Sequence, residues 1–402
     1  MRNCIQNVLE KITLFSVLVT ATFACGATRW NLKQLSTPPQ IYPAPTFQAP
    51  GVRALFFEGL PWKGNPTRVF AWYGVPSNAT AARVPAIVLV HGGGGTAFAE
   101  WVRLWTARGY AAIALDTCGS MPINPDSHQP RRHDFGGPPC WDASFDQIDW
   151  AENDQWTYHA VADIVLADSL LRSFPEVDSK RIGITGISWG GYLASIAASA
   201  DPRFRFAVPV YGCGFLGENS LWVPAFQKLG PEKAKKWLEL WDPSVYLSRA
   251  KMPFLWVTGT NDVGYPLDSF QKTYRLPQGQ RTLSVRLRMP HSHEDGWKPE
   301  EILAFADQVV NSGTLLTRVL SQVHYQQRAR IKFKSKSPVV RAELLYTLDN
   351  GIWKDRRWLV IPAQITAGKA MVQVTLPAGV RVFFFNLIDA RGLVVSSEHQ
   401  VL

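Results

Sequence analysis

A serine stands in the run Gly186-Ile187-Ser188-Trp189-Gly190-Gly191, between an apolar stretch over residues 181–187 and a small-residue stretch over 192–198. The first reads as a strand and the second as a helix. A serine on a sharp strand-to-helix turn has its hydroxyl held clear of the backbone, and glycines flank it because larger side chains would clash there. The helix N-terminus behind it favours developing negative charge. Ser188 is therefore a candidate nucleophile. The plainer alternative is an ordinary turn in which it caps the helix.

A second constellation is His91-Gly92-Gly93-Gly94-Gly95, directly after the apolar run 86–90. Four consecutive glycines are entropically unfavourable in a folded chain. One reason to keep them is to aim main-chain N–H groups at a substrate oxygen. The N–H of Gly93 or Gly94 would then join that of Trp189 in an oxyanion hole, where each donor contributes about 2.7–4 kcal/mol. The alternatives are a flexible turn or a phosphate loop. The Gly-x-Gly-x-x-Gly spacing is not completed, and no Lys-Ser/Thr follows. His91 precedes the turn, so it suits bracing the loop better than acting as a base.

Thr258-Gly259-Thr260-Asn261-Asp262 closes another apolar run, 254–258. A carboxylate at the end of a late strand can orient a histidine and stabilise its charge. Asp268, on the following helical stretch, is the other acid in range, and a capping role is the alternative for Asp262. His291-Ser292-His293 follows the run 283–289. One of these histidines is the expected base. His291 is preferred as the first residue able to leave the strand edge, and His293 remains the alternative. No metal signature accompanies them: the two histidines lack the helical His-x-x-x-His spacing and the cysteines lack zinc spacing. No cofactor is expected.

These residues need a scaffold that brings them together. From about residue 51, apolar runs (52–57, 68–73, 86–90, 111–115, 181–187, 207–210, 254–258, 283–289) come to alternate with helical patterns (98–107, 156–172, 189–199, 267–274, 300–308). Uninterrupted apolar runs such as 86–90 suit strands buried on both faces of a parallel sheet. The alternation predicts a doubly wound, mostly parallel α/β core over 51–318. Residues 118–149 and 214–241 fall after strands at the catalytic edge, where substrate walls are inserted. Trp141 and Trp222 within them, and Trp156 and Tyr158 at the opening of the helical pattern 156–172, could line the cleft or simply pack. Beyond about residue 318 the runs alternate at period two, with turns at Asn350-Gly351, Pro377-Ala378-Gly379 and Arg391-Gly392 and no helix between. A small antiparallel β-sandwich over 319–402 is expected.

Composition bounds the function. The chain has 402 residues, 46% hydrophobic side chains and a net charge of +10. That excludes a disordered chain, and five cysteines exclude a disulfide-dense scaffold. Residues 319–402 hold 12 Lys+Arg against 5 Asp+Glu, so the basic character belongs mainly to the tail. Such a domain could face an anionic polysaccharide or a membrane surface, or be an ordinary solvated surface. Arg2 and Lys11 precede an apolar stretch over 12–24 that ends in small residues. This reads as a secretory signal peptide over 1–26, so a secreted or periplasmic protein is expected and nucleic acid is not an expected partner. In a bacterial source Cys25 could be lipidated. No later apolar run approaches the ~20 residues of a membrane helix. The proline-rich residues 27–50 read as a linker or surface strap. Without the leader, Cys118, Cys140 and Cys213 remain; Cys118 could pair with Cys140 in an oxidising compartment, or all three could be free.

The combination of His91–Gly95, Gly186–Gly191, Asp262 and Met289-Pro290-His291-Ser292-His293 resembles the α/β-hydrolase superfamily. Within it, the chain looks like the exported branch that includes acetylxylan esterases, dienelactone hydrolases and prolyl oligopeptidases, over roughly 51–315. The resemblance implies a cofactor-free serine hydrolase with Ser188 as nucleophile, His291 or His293 as base and Asp262 as orienting acid. Dienelactone hydrolases use cysteine where this chain has serine, so a lactone substrate is not implied. Acetyl or other small acyl esters on a carbohydrate are the expected substrates. A serine peptidase of the prolyl-oligopeptidase type and a non-catalytic carbohydrate-binding protein are the alternatives.

Overall fold

The computed structural model describes residues 29–77, 83–122, 131–366 and 368–402. The expected leader over 1–26, with Cys25, lies outside them. A central sheet begins with β1 (Ile41–Pro43), β2 (Arg53–Glu58), β3 (Arg68–Gly74), β4 (Val84–Val90) and β5 (Ala111–Leu115). A short ribbon, β6 (Ser120–Met121) with β7 (Arg131–Arg132), interrupts it. The sheet resumes with β8 (Val177–Ile187), β9 (Ala207–Val210), β10 (Phe254–Gly259) and β11 (Arg281–Arg286). Its spatial order is β1-β2-β3-β5-β4-β8-β9-β10-β11. From β5 to β11 all pairs are parallel, while β1, β2 and β3 add antiparallel at one edge. The runs 86–90 and 111–115 are buried throughout, as strands covered on both faces must be.

The helices are α1 (Leu32–Leu35), α2 (Ala99–Ala107), α3 (Trp156–Ser173), α4 (Trp189–Ala200), α5 (Leu216–Asn219), α6 (Val223–Leu229), α7 (Pro231–Trp241), α8 (Leu267–Tyr274), α9 (His293–Trp297) and α10 (Glu300–Val310). The tryptophan-rich segment 214–241 is thus a wall of three short helices. Proline in the first turn starts α6 and again α7, where it needs no hydrogen-bond donor. α7 buries Trp237 and Trp241 and turns its lysines and glutamates outward.

The proline-rich segment is packed into the body rather than hanging from it. Trp30 is 1% exposed and sits against Tyr158, Trp241 and Tyr246, and Ile41–Pro43 pairs with β2.

The tail carries β12 (Arg318–Tyr325), β13 (Arg328–Lys334), β14 (Val339–Thr347), β15 (Trp358–Pro362), β16 (Gln364–Thr366), β17 (Met371–Thr375), β18 (Val382–Asp389), β19 (Val394–Ser396) and β20 (Gln400–Val401). A four-stranded antiparallel sheet, β12-β13-β17-β16, lies over a five-stranded one, β15-β14-β18-β19 with β20 on β18. Ile331 and Val372 from the first meet Leu344, Phe383 and Phe385 from the second. The other face of the second sheet, with Leu345, Trp358, Val382 and Phe384, packs on Leu267 and Val285 of the α/β part. Hydrogen bonds sew the seam: Val285 N donates to Ser396 Oγ at 2.7 Å, and Asn386 Nδ2 to Val285 O at 3.1 Å.

Candidate active site

The parallel strands β4, β8, β10 and β11 end at one edge of the sheet, and each delivers a group to the same place. Ser188 follows β8 and precedes α4, with φ 58° and ψ −120°. That left-handed backbone is uncommon for a side-chain-bearing residue and costs of order 1–3 kcal/mol. Its neighbours must be glycines. A Cβ on Gly186 would lie 2.1 Å from Gly190 O, and one on Gly190 would lie 2.0 Å from Val90 O.

His291 reaches this serine. Its Nε2 lies 2.8 Å from Ser188 Oγ, and its Nδ1 lies 2.7 Å from Asp262 Oδ2. The Asp262 carboxylate is fully buried, and its Oδ1 accepts from Gly264 N at 2.9 Å and Tyr265 N at 2.7 Å. With the carboxylate on Nδ1, the imidazole presents Nε2 to the serine as acceptor. The ring of Tyr211 stacks on His291 at 4.4 Å between centroids and fixes its plane. Tyr211 is anchored in turn by its hydroxyl, which donates to Pro290 O at 2.6 Å. Sequence reasoning did not name Tyr211. The available signal was its place directly after the run 207–210, at the same sheet edge.

His293 does something else. It opens α9 behind Ser292, whose side chain caps that helix. Its Nε2 accepts from Gly92 N at 2.9 Å, so it holds the glycine loop and not the serine. A side chain at Gly95 would collide with its ring, at 2.7 Å. Burial, reinforced by the nearby charge of protonated His91, pushes its pKa down to about 4. His91 grips the loop from below. Its Nε2 accepts from Thr117 N at 3.0 Å, and its Nδ1 donates to Gly92 O at 2.9 Å. Burial pushes its pKa down to about 4 also. Beside it, burial pushes Asp116 up to about 6 against the N–H bonds from Ser120 and Cys118. Gly92 is thus engaged at both its N–H and its carbonyl. The N–H groups of Gly93, Gly94 and Trp189 have no protein acceptor among the described residues. Gly93 lies against the Trp189 indole, 3.1 Å from its Cδ1 for an added Cβ. Asp268 is elsewhere: it accepts from Asn219 Nδ2 on the wall.

The aromatic candidates separate. Trp222 packs on Trp189 at 4.7 Å and Tyr265 at 4.9 Å, and donates to Asp142 Oδ1 at 2.8 Å. A Cβ on Gly264 would sit 3.6 Å from Trp222 and 3.8 Å from His291, so this indole borders the site. Trp141 stands edge-on to His91 at 6.3 Å. Trp156 is core, 1% exposed, with its indole N–H given to Thr117 O at 2.7 Å. Tyr158 stacks on Trp30, and its carbonyl takes the Trp30 indole N–H. Tyr158 faces the strap, whereas Trp156 meets the Trp189 ring edge-on at 5.6 Å but is itself buried beneath it. A disulfide joins Cys118 to Cys140, and Cys213 is free and buried. Among the described residues, no group of three His, Cys, Asp or Glu could hold a metal ion, and no helix is long and apolar enough to cross a membrane.

Comparison with known proteins bears on the α/β part of the chain. The acetyl xylan esterase (AXE1) family matches residues 45–219, and the prolyl oligopeptidase family matches residues 147–305. A curated relative, an uncharacterized peptidase YuxL of Bacillus subtilis (strain 168), is 24% identical over 216 residues; the match spans 50% of this chain but only 30% of that protein. Among solved structures, an acetyl xylan esterase from Paenibacillus sp. R4 superposes with a TM-score of 0.54 at 23% identity, covering 69% of this chain and 92% of that one. Acetyl xylan esterase 1 from Thermoanaerobacterium sp. JW/SL YS485 gives 0.52 at 20% identity, covering 70% and 92%. The Pyrococcus horikoshii acylaminoacyl peptidase gives 0.50 at 20% identity, covering 65% of this chain and 42% of that one. The central part of the chain thus has the α/β-hydrolase fold, and it is similar in sequence to the acetyl xylan esterase family over residues 45–219 and to the prolyl oligopeptidase family over residues 147–305.

Proposed function

We propose that this carboxylic ester hydrolase is an exported serine esterase acting on acetyl or other small acyl esters of carbohydrate. The observation that carries the mechanism is the line Asp262–His291–Ser188, at 2.7 and 2.8 Å. Ser188 Oγ attacks the ester carbonyl and its proton passes to His291 Nε2. The N–H of Trp189 and that of Gly93 or Gly94 receive the oxyanion. His291 returns the proton to the departing alcohol, leaving an acyl-serine. Water then gives a proton to His291, attacks the acyl carbon and releases the acid, and Ser188 regains its proton. Asp262 stabilises the imidazolium in both halves.

The small acyl group is supported by the bulk of Trp222 and Tyr265 beside His291, and the carbohydrate by the match to the acetyl xylan esterase family. A fluorophosphonate probe should label the wild type and not Ser188→Ala, with parallel loss of p-nitrophenyl acetate hydrolysis. Equal labelling or equal turnover in the variant sinks the reading. The prolyl oligopeptidase match over 147–305 favours a second reading, a serine peptidase with the same triad. Parallel assays on acetylated xylan and on proline-containing peptides separate the two.

A further inference from the structure

β13 alternates strictly, with Ala329, Ile331 and Phe333 in the core and Arg328, Arg330, Lys332 and Lys334 exposed. At about 3.3–3.4 Å per residue these four cations form a row of roughly 20 Å. Arg318 on β12 adds a fifth, directly across from Lys334. The other outward positions follow from the register: Ser321, Val323 and Tyr325 on β12, and Met371, Gln373 and Thr375 on β17. None is a carboxylate, and among the described residues none of the five cations forms an ion pair.

Two ordinary explanations fail. Cations protect the edges of sheets against unwanted pairing. β13, however, is an inner strand between β12 and β17. Cations also accompany acids in surface ion pairs, and elsewhere on the tail they do: Arg341 with Glu343, and Arg391 with Asp389. Here neighbouring charges about 7 Å apart repel within the Debye length, and a like pair directly opposite is destabilising. An anion laid along the row relieves that repulsion. The row also borders a trough of about 630 Å³, lined in part by Val323, Tyr325, Arg328, Arg330, Gln364 and Gln373. Tyr325 is 76% exposed. An exposed aromatic face with side-chain amides beside a cation row fits sugar rings bearing both hydroxyls and carboxylates.

We propose that this outer face binds an acidic polysaccharide whose sugars carry uronate carboxylates. It is a binding site separate from the hydrolytic one and does not depend on that reading. The test uses the full chain carrying Ser188→Ala, so that binding is measured without turnover, with polygalacturonate as the probe. Binding should weaken several-fold as NaCl rises from about 50 to about 300 mM. It should weaken at least tenfold in Arg328→Gln/Arg330→Gln/Lys332→Gln/Lys334→Gln, and be absent for the fully methyl-esterified polymer. Circular dichroism checks that the quadruple variant folds; if it does not, Arg330→Gln alone should weaken binding several-fold. The same substitutions in the active chain should leave p-nitrophenyl acetate turnover unchanged. Equal affinity in a folded variant overturns the proposal. So does tighter binding to phosphatidylglycerol vesicles or to single-stranded DNA than to polygalacturonate.

Discussion

The side-chain amide of Asn261 donates to the carbonyls of Lys354 and Arg356, each at 2.8 Å. Its Oδ1 accepts from the Thr260 hydroxyl, also at 2.8 Å. Asn261 immediately precedes Asp262, so the tail grips the residue beside the acid. The β-domain therefore helps to hold the candidate triad, whatever else it does. Removing the amide in Asn261→Ala deletes both ties to the tail, each contributing about 0.5–1.5 kcal/mol. We expect kcat for p-nitrophenyl acetate to fall about tenfold with KM little changed, and the melting temperature to drop. An unchanged kcat would mean that Asp262 is positioned by Gly264 and Tyr265 alone.

Ser188 lies at φ 58°, where glycine rests without strain and alanine does not. Ser188→Gly and Ser188→Ala should both lose activity by roughly 10⁴-fold or more. Their stabilities should differ, with the glycine variant more stable than the alanine variant by about 1 kcal/mol. Paired thermal melts decide it, and the reverse order would show that the turn is not strained.

The two histidines should separate kinetically. His291→Ala removes the group that touches Ser188 Oγ and should abolish turnover and fluorophosphonate labelling. His293→Ala frees Gly92 N and loosens the loop that presents Gly93 and Gly94. We expect a loss of about 10- to 10³-fold in kcat, the scale of one displaced oxyanion donor, with labelling slowed but retained. Equal losses would merge the two roles.

The pairing of Cys118 with Cys140, at a sequence separation of 22, closes a loop that carries the β6–β7 ribbon and ends just before Trp141. Constraining the unfolded chain in this way stabilises by roughly 3 kcal/mol. Cys118→Ser/Cys140→Ser should therefore melt well below the wild type, and dithiothreitol should lower the wild type toward it. A melt insensitive to reductant contradicts the bond.

How much of this was legible in the sequence follows from what each residue packs against. Runs such as 86–90 and 207–210 are readable because burial on both faces leaves no polar position. The serine turn is readable because its glycines are forced by backbone contacts as close as that of Gly190 with Val90 O. β1 is hidden among prolines because only its pairing with β2 makes Ile41–Pro43 a strand. β12 is hidden by the register break between Val319 and Ser321, which interrupts its alternation. The choice of His291 over His293 turns on Ser292, whose cap starts α9 and swings His293 toward Gly92. Trp156 and Tyr158 have the residue type of a cleft wall, but type alone does not reveal that Trp156 is buried against Trp189 and Thr117, or that the strap covers Tyr158.

His159 offers a test of linkage away from the site. It lies on α3, is 3% exposed, and its ring Nε2 is 2.9 Å from Asn153 O. Burial pushes its pKa from the usual 6.5 down to about 4. Between those values the unfolded chain binds a proton at this residue and the folded chain does not. Stability therefore rises with pH across that window, and is lost as pH falls from about 6.5 toward 4. Asp116 and Asp168, both pushed up to about 6 by burial, act in the opposite sense. They are common to wild type and variant, so a comparison cancels them. His159→Gln keeps a donor for Asn153 O but cannot charge. We expect it to be somewhat less stable than wild type at pH 7, and to lose about 1–3 kcal/mol less on going to pH about 4.5. Urea melts at the two pH values measure the difference. Equal losses in the two proteins would mean that His159 can take up a proton without leaving the folded state.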